Sequence, residues 1–150
     1  MAETVSRTWL TERAGITWRA WPAEASQMGA IRSQVRRWLA PLAVSEDVAD
    51  DIVLAVSEAA SNCVEHAYVG GIRVDAGVEL MLWTEPHRVC IVVVDHGAWR
   101  VPAGKPSLRG RGIEMMQRLM TEVVIHHDSD GTHVFLSHSL LDAVAATSRR

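Results

Sequence analysis

The chain has 150 residues, 15 Lys and Arg against 18 Asp and Glu, and 48% hydrophobic residues, which is the size and balance of one globular domain around one core and argues against a disordered or two-domain chain. A formal net charge of -3 gives no overall basic field, so generic binding to nucleic acid or to an anionic membrane loses most of its electrostatic support. No uncharged run approaches the roughly 20 residues that span a bilayer, and the N-terminus lacks a basic segment followed by a long apolar stretch. The expectation is a cytoplasmic protein without direct nucleic-acid or membrane partners. Cys63 and Cys90 sit inside apolar segments with no CxxC spacing, as reduced core residues do.

Residues 1–15 are polar and poorly patterned and read as a flexible N-terminus, ahead of one domain over 16–140 and a frayed tail over 141–150. Ile16 to Trp21 alternates well enough for a first strand ending at Pro22. Between Ala23 and Ala40 a helical stripe begins with Met28, Ile31, Val35, Trp38 and Leu39 and runs on to Leu42, leaving Arg32, Arg36 and Arg37 largely off it. Pro41 stops this helix. Ser45 followed by Glu46 and Asp47 is an N-cap with acids in the first turn, opening a longer helix to about Ala67 that Gly70-Gly71 ends. Val78 to Trp83 and Arg88 to Asp95 are β-rich runs joined by a short turn, and the glycine- and proline-rich stretch from His96 to Arg109 is a long loop. A short helix from about Arg111 to Met120 follows. Glu122 to His127 then pairs with Thr132 to Leu140 across Asp128-Ser129-Asp130-Gly131. This order predicts an α+β two-layer sandwich, with a mixed, mainly antiparallel sheet covered by helices on one face.

Three features stand out against that frame. Glu58 and Asn62 lie four apart on the second helix, beside its apolar stripe, so their side chains point at one spot. A carboxylate and an amide converging there can hold a hard ion such as Mg²⁺ or accept a proton from a nucleophile, and equally can be a solvated polar pair. Asp95 ends a nearly continuous apolar strand and is followed by Gly97, which lets a flat ligand approach the backbone; it can also serve only to cap a loop. Gly110-Arg111-Gly112 stands at the mouth of a helix, where free N–H groups and the helix dipole suit phosphate, a weak signal when taken singly. Gly131-Thr132 at the last hairpin needs no functional explanation when it stands alone.

In this order the features resemble a family. Val56-Ser57-Glu58-Ala59-Ala60-Ser61-Asn62-Cys63-Val64-Glu65-His66-Ala67-Tyr68 resembles the N box of the GHKL ATPases, specifically of the RsbW-type anti-sigma factor serine kinases, in which an E-A-x-x-N-x-x-x-H-A-Y pattern recurs. Asp95-x-Gly97 is similar to their G1 box, Gly110-x-Gly112 to their G2 box and Gly131-Thr132 to their G3 position. The resemblance runs from about Ile16 to Leu140 and implies the Bergerat-type ATP-binding fold. It implies that Asp95 binds the adenine amino group, that Gly97 makes room for the base and that Thr132 assists through its hydroxyl or a water. It further implies that Gly110, Arg111, Gly112 and Gly131 complete the nucleotide site, that Asn62 holds Mg²⁺ on the phosphates of ATP, and that the loop from His96 to Arg109 is a lid. Glu58 is implied as the general base toward a Ser or Thr hydroxyl of a partner. One departure is Trp99, where the family commonly has a second glycine; a related subgroup of fused phosphatase regulators carries such a Trp-Arg pair.

The function implied is an ATP-dependent protein serine/threonine kinase and anti-sigma factor that phosphorylates a STAS-type antagonist, with the sigma factor and the antagonist as partners and homodimers common in the family. The alternative is a nucleotide-gated anti-sigma binding module without useful kinase activity, which would keep Asp95 and Gly112 but not require Glu58. A histidine kinase ATPase domain is disfavoured because no dimerisation-and-phosphoacceptor helix pair precedes the domain in this sequence. Arg32 matches a basic residue that the family carries on its first helix for partner contact, and a guanidinium suits a partner carboxylate. His126, His127, His133 and His138 fall on two neighbouring strands, where successive residues face opposite sides, which argues against a metal cluster.

Overall fold

A computed structural model describes residues 15–67, 77–97 and 109–140. The expected flexible N-terminus, the Gly70-Gly71 helix end, most of the lid with Trp99, and the tail after Leu140 lie outside the described residues.

Five strands form one sheet in the order β1-β2-β3-β5-β4, with β1 at Thr17–Pro22, β2 at Gly77–Glu85, β3 at Arg88–Asp95, β4 at Glu122–Asp128 and β5 at Gly131–Ser139. Each of the four pairings is antiparallel, so the sheet expected to be mainly antiparallel is antiparallel throughout these pairs. Three helices complete the two-layer α+β fold: α1 at Met28–Leu39, α2 at Glu46–Asn62 and α3 at Arg109–Leu119. Strand alternation divides the sheet into two faces. Val78, Leu80, Ile91, Val93, Val134 and Leu136 turn toward the helices and pack with Ile31, Val35, Ile52, Val56 and Met116 into the main core. The opposite face carries one apolar residue per strand in a continuous row, Trp18, Met81, Val92, Phe135 and Val124, opposite one another in register. Both ends of that row are exposed, Trp18 at 44% and Val124 at 48%.

The helices begin and end where side-chain chemistry directs. Ser45 is extended at the start of α2, and its Oγ accepts a hydrogen bond from the Val48 N–H at 3.2 Å, satisfying one of the otherwise unpaired amides of the first turn. Glu46 and Asp47 add negative charge at the positive end of the helix dipole. Pro41 lies in a short 3₁₀ turn after α1, and Ala43 reverses the chain in a left-handed conformation at φ 54°. Ile31, Val35 and Leu39 bury the apolar stripe of α1, while Arg36 on its outer side pairs with Asp50 of α2 at 2.9 Å.

Two boundaries differ from expectation. The second helix is α-helical only to Asn62 and continues as a π-helical turn over Cys63–Ala67; the wider i→i+5 turn shifts the phase of every side chain after Asn62. The third helix starts at Arg109, two residues before the expected Arg111, so Gly110 as well as Gly112 lies within its first turn.

Candidate functional site

The site is built at the end of β3, where the antiparallel register sets Asp95 directly opposite Thr132 of β5, and Thr132 in turn opposite His127 of β4. Asp95 follows Val89, Ile91 and Val93 on the helix-facing side of the sheet, so alternation alone drives its carboxylate into the interior, where it is fully buried. Its Oδ1 accepts the Gly97 backbone N–H at 3.0 Å, an Asx turn that fixes the chain as it leaves the strand. Its Oδ2 is buried and makes no hydrogen bond among the described residues. A buried carboxylate oxygen left open in this way is costly unless a ligand supplies the donor.

Burial pushes the Asp95 carboxyl above its ordinary range, opposed by the Cys63 thiol, the Gly97 N–H and the Thr132 backbone N–H, all of which favour the charged form. The Cys63 thiol is itself pushed well up, first by burial and then by the charge of Asp95, so it stays protonated as a weak donor beside the carboxylate. Sequence reading treated Cys63 as plain core. Its adjacency to Asn62 was visible, but the π-helical turn that follows Asn62 was not.

Gly131 closes the sheet edge over Asp95. A Cβ at this position would fall 1.9 Å from the Asp95 carbonyl oxygen, and the residue has φ +139°. Both the approach of the two strands and the backbone conformation therefore require glycine here. The hairpin glycine is thus a constraint on the site as well as on the turn.

Helix α2 packs over β3 and β5, and α3 packs against α2. Asn62, the last residue of α2, is 7% exposed, and Glu58 one turn earlier is half-buried. The first turn of α3 reaches Glu58: a Cβ on Gly112 would stand 3.0 Å from the Glu58 Oε2. Only a residue without a side chain brings helix backbone this close to the carboxylate. Gly110 and Arg111 share that turn. Asp95, Gly97, Gly131 and Thr132 thus gather at the strand ends, and Glu58 meets Gly112 across the α2–α3 contact. The lid residues 98–108 lie outside the described residues.

Thr132 is 1% exposed, and its Oγ1 lies 2.9 Å from the His127 Nδ1. The sequence marks His127 only as one of four histidines on neighbouring strands, although the hairpin register that closes on Asp128 and Gly131 is enough to place it opposite Thr132. His126 and His133 lie opposite each other on the other face of the same strands, their rings tilted by 53° with centroids 6.4 Å apart, and burial pushes the His133 pKa down. Arg32 is exposed on α1, and its Nη1 donates to the Ser57 Oγ at 3.4 Å, one residue before Glu58. The basic residue expected to face a partner therefore stands near the proposed base and not on a remote face. Among the described residues no helix is long and apolar enough to cross a membrane.

Three solved structures are similar to this chain. The RsbU and RsbW domains of Rv1364c from Mycobacterium tuberculosis match with a TM-score of 0.63 and 28% identity, covering 82% of this chain and 32% of that one. The histidine kinase domain of the blue-light activated histidine kinase from Erythrobacter litoralis EL346 matches with a TM-score of 0.58 and 19% identity, over 85% of this chain and 65% of that chain. A longer chain of the same kinase gives 0.60 and 19%, over 80% of this chain and 42% of that one. At 19% identity these two show the fold alone, and this chain spans about a third of the mycobacterial chain it matches. The histidine kinase-like ATPase domain family matches residues 21–138, which takes in all three helices and every strand except the start of β1 and the last residue of β5. The chain belongs to the histidine kinase-like ATPase domain family.

Proposed function

We propose that this protein is an ATP-dependent protein serine/threonine kinase of the RsbW type, which holds a sigma factor and phosphorylates a STAS-type antagonist. The observation that carries the nucleotide part is the buried Asp95 carboxylate with Oδ2 lacking a partner among the described residues. It has the chemistry to accept the exocyclic amino group of adenine, and Gly97 and Gly131 keep the surrounding backbone free of side chains. Asn62, buried at the inner end of α2, offers an amide oxygen of the kind that Mg²⁺ takes. Bound there, Mg²⁺ would supply charge neutralisation on the phosphate chain. The first turn of α3, with Gly110, Arg111 and Gly112, offers backbone N–H groups at the positive end of a helix dipole to the phosphates.

Glu58 supports phosphotransfer over mere binding. As the hydroxyl oxygen of a partner Ser or Thr forms its bond to the γ-phosphorus and the bond to the ADP oxygen breaks, Glu58 takes the hydroxyl proton. Gly112 keeps the approach to that carboxylate narrow. The likeness to a mycobacterial chain that carries RsbU and RsbW domains, together with the basic Arg32 on α1, favours a sigma factor and a STAS antagonist as partners, with a homodimer as the assembly.

Titration calorimetry with ATP and ADP in Mg²⁺ tests the nucleotide reading. Saturable binding that is weakened by Asp95→Asn is the result expected, together with a loss of Mg²⁺ dependence in Asn62→Ala. Absence of binding by the wild-type chain would overturn it.

A further inference from the structure

We propose that His127 sets the base selectivity of this site by taking the hydroxyl proton of Thr132 on its Nδ1. The inference rests on the adenine-nucleotide reading above and names the residue that decides how Thr132 meets the base. The geometry is a chain across three strands: Asp95 on β3, Thr132 opposite it on β5, and His127 opposite Thr132 on β4. All three point to the helix side of the sheet, because Val93, Val134 and Ile125 two residues away on each strand pack into the main core on that side.

A threonine hydroxyl has one proton and two lone pairs. Thr132 is 1% exposed, and its Oγ1 is 2.9 Å from the His127 Nδ1. With the imidazole proton on Nε2, Nδ1 is an acceptor and the Thr132 O–H is spent on it. Thr132 then shows only lone pairs to the space beside Asp95. Directly opposed residues of an antiparallel pair hold their side chains about 5 Å apart, so the Asp95 Oδ2 and the Thr132 Oγ1 form two neighbouring acceptors. An exocyclic amino group carries two N–H donors and satisfies such a pair. An exocyclic carbonyl, as in hypoxanthine, brings lone pairs where the amino group brought two donors, and the neighbouring ring N1–H can serve only one of the two acceptors. Without His127, the Thr132 proton is released to rotate inward and greet a carbonyl, and the discrimination falls. His127 does not touch the base in this account; it is a positioning residue acting through Thr132.

The test is the ratio of dissociation constants for ITP and ATP, measured by calorimetry in Mg²⁺ on the whole chain. The variants are His127→Leu, His127→Asn, Thr132→Val and the double variant His127→Leu with Thr132→Val, each first shown by its melting transition to be folded. His127→Leu is expected to lower the ITP/ATP ratio by about two- to tenfold, the range a single net hydrogen bond commands. His127→Asn, whose Oδ1 can stand in for Nδ1 as acceptor, is expected to restore most of it. In the Thr132→Val background His127→Leu should have no further effect, since the hydroxyl through which it acts is gone. An unchanged ratio in His127→Leu, or an equal fall with and without the Thr132 hydroxyl, would overturn the role of His127 while leaving ATP binding intact. Failure of the wild-type chain to bind ATP would overturn instead the reading on which the inference rests.

Discussion

The α-carbon of Gly112, in the first turn of α3, rests against the carboxylate of Glu58 on α2, so closely that an added methyl group would stand 3.0 Å from the Glu58 Oε2. The atom that would have to move is the far end of a flexible side chain and not backbone. Gly112→Ala is therefore expected to keep the fold, and helix propensity favours alanine by up to about 1 kcal/mol. Its effect should fall on the Glu58 carboxylate, which must turn aside to make room for the methyl group. The expected outcome is a melting temperature equal to or above wild type, together with a loss of phosphotransfer. Wild-type transfer by this variant would show that the position of Glu58 is not constrained by α3.

Gly131 is the opposite case. Here the added atom would collide with the Asp95 carbonyl oxygen and with the His96 backbone, at a φ that side chains rarely adopt. Gly131→Ala is expected to destabilise the protein by about 2 kcal/mol or more, since neither backbone segment can yield without parting β3 from β5. Chemical denaturation checks this, and nucleotide affinity should fall with it because Asp95 moves.

Asp95 links affinity and stability with opposite signs. Burial raises its pKa above the ordinary carboxylate range, so at neutral pH the ionised group costs folding free energy. That cost is relieved as pH falls through the raised folded-state value toward that of the unfolded chain. Asp95→Asn keeps an oxygen for the Gly97 N–H but removes the buried charge. The melting temperature of the ligand-free variant should exceed that of wild type at neutral pH, and the difference should shrink on acidification. Adenine nucleotide affinity should meanwhile drop by about 1 to 3 kcal/mol, because an acceptor has become a donor. A lower melting temperature would mark the ionised carboxylate as a structural element.

What the sequence made legible follows from how local each signal is. Ser45 with Glu46 and Asp47 announced the start of α2 because capping is settled within one turn, and the alternation ending at Asp95 placed that carboxylate inside because the strand period is fixed. Glu58 and Asn62 could be put on one helix face by spacing. What spacing could not show are contacts between segments distant in sequence. Gly131 looked like an ordinary hairpin glycine until β3 was seen against it. Cys63 is core, as its apolar setting indicates, but its thiol also lies beside Asp95, and the third helix begins at Arg109, two residues before Arg111, so that it takes in Gly110.

Arg32 separates partner binding from nucleotide binding. It is exposed, and its hydrogen bond to the Ser57 Oγ is long at 3.4 Å. Arg32→Ala should change stability by less than about 0.5 kcal/mol and leave ATP affinity within error. Capture of a sigma factor or of a STAS antagonist should weaken measurably, by pull-down and titration. Unchanged capture, with a loss in Arg36→Ala or Arg37→Ala, would move the contact along α1; no loss in any of the three would place the partner face elsewhere.

As proposed, Glu58 makes this chain a kinase and not only a nucleotide-binding module. The measurement is transfer of labelled γ-phosphate from ATP, in Mg²⁺, to candidate STAS-domain proteins, by wild type and by Glu58→Gln. The account predicts a phosphorylated Ser or Thr on the acceptor with wild type, and a rate lower by roughly 10² to 10⁴ with Glu58→Gln while ATP affinity is retained. Equal transfer by the two proteins, or ATP binding by wild type without transfer to any such acceptor, would contradict it.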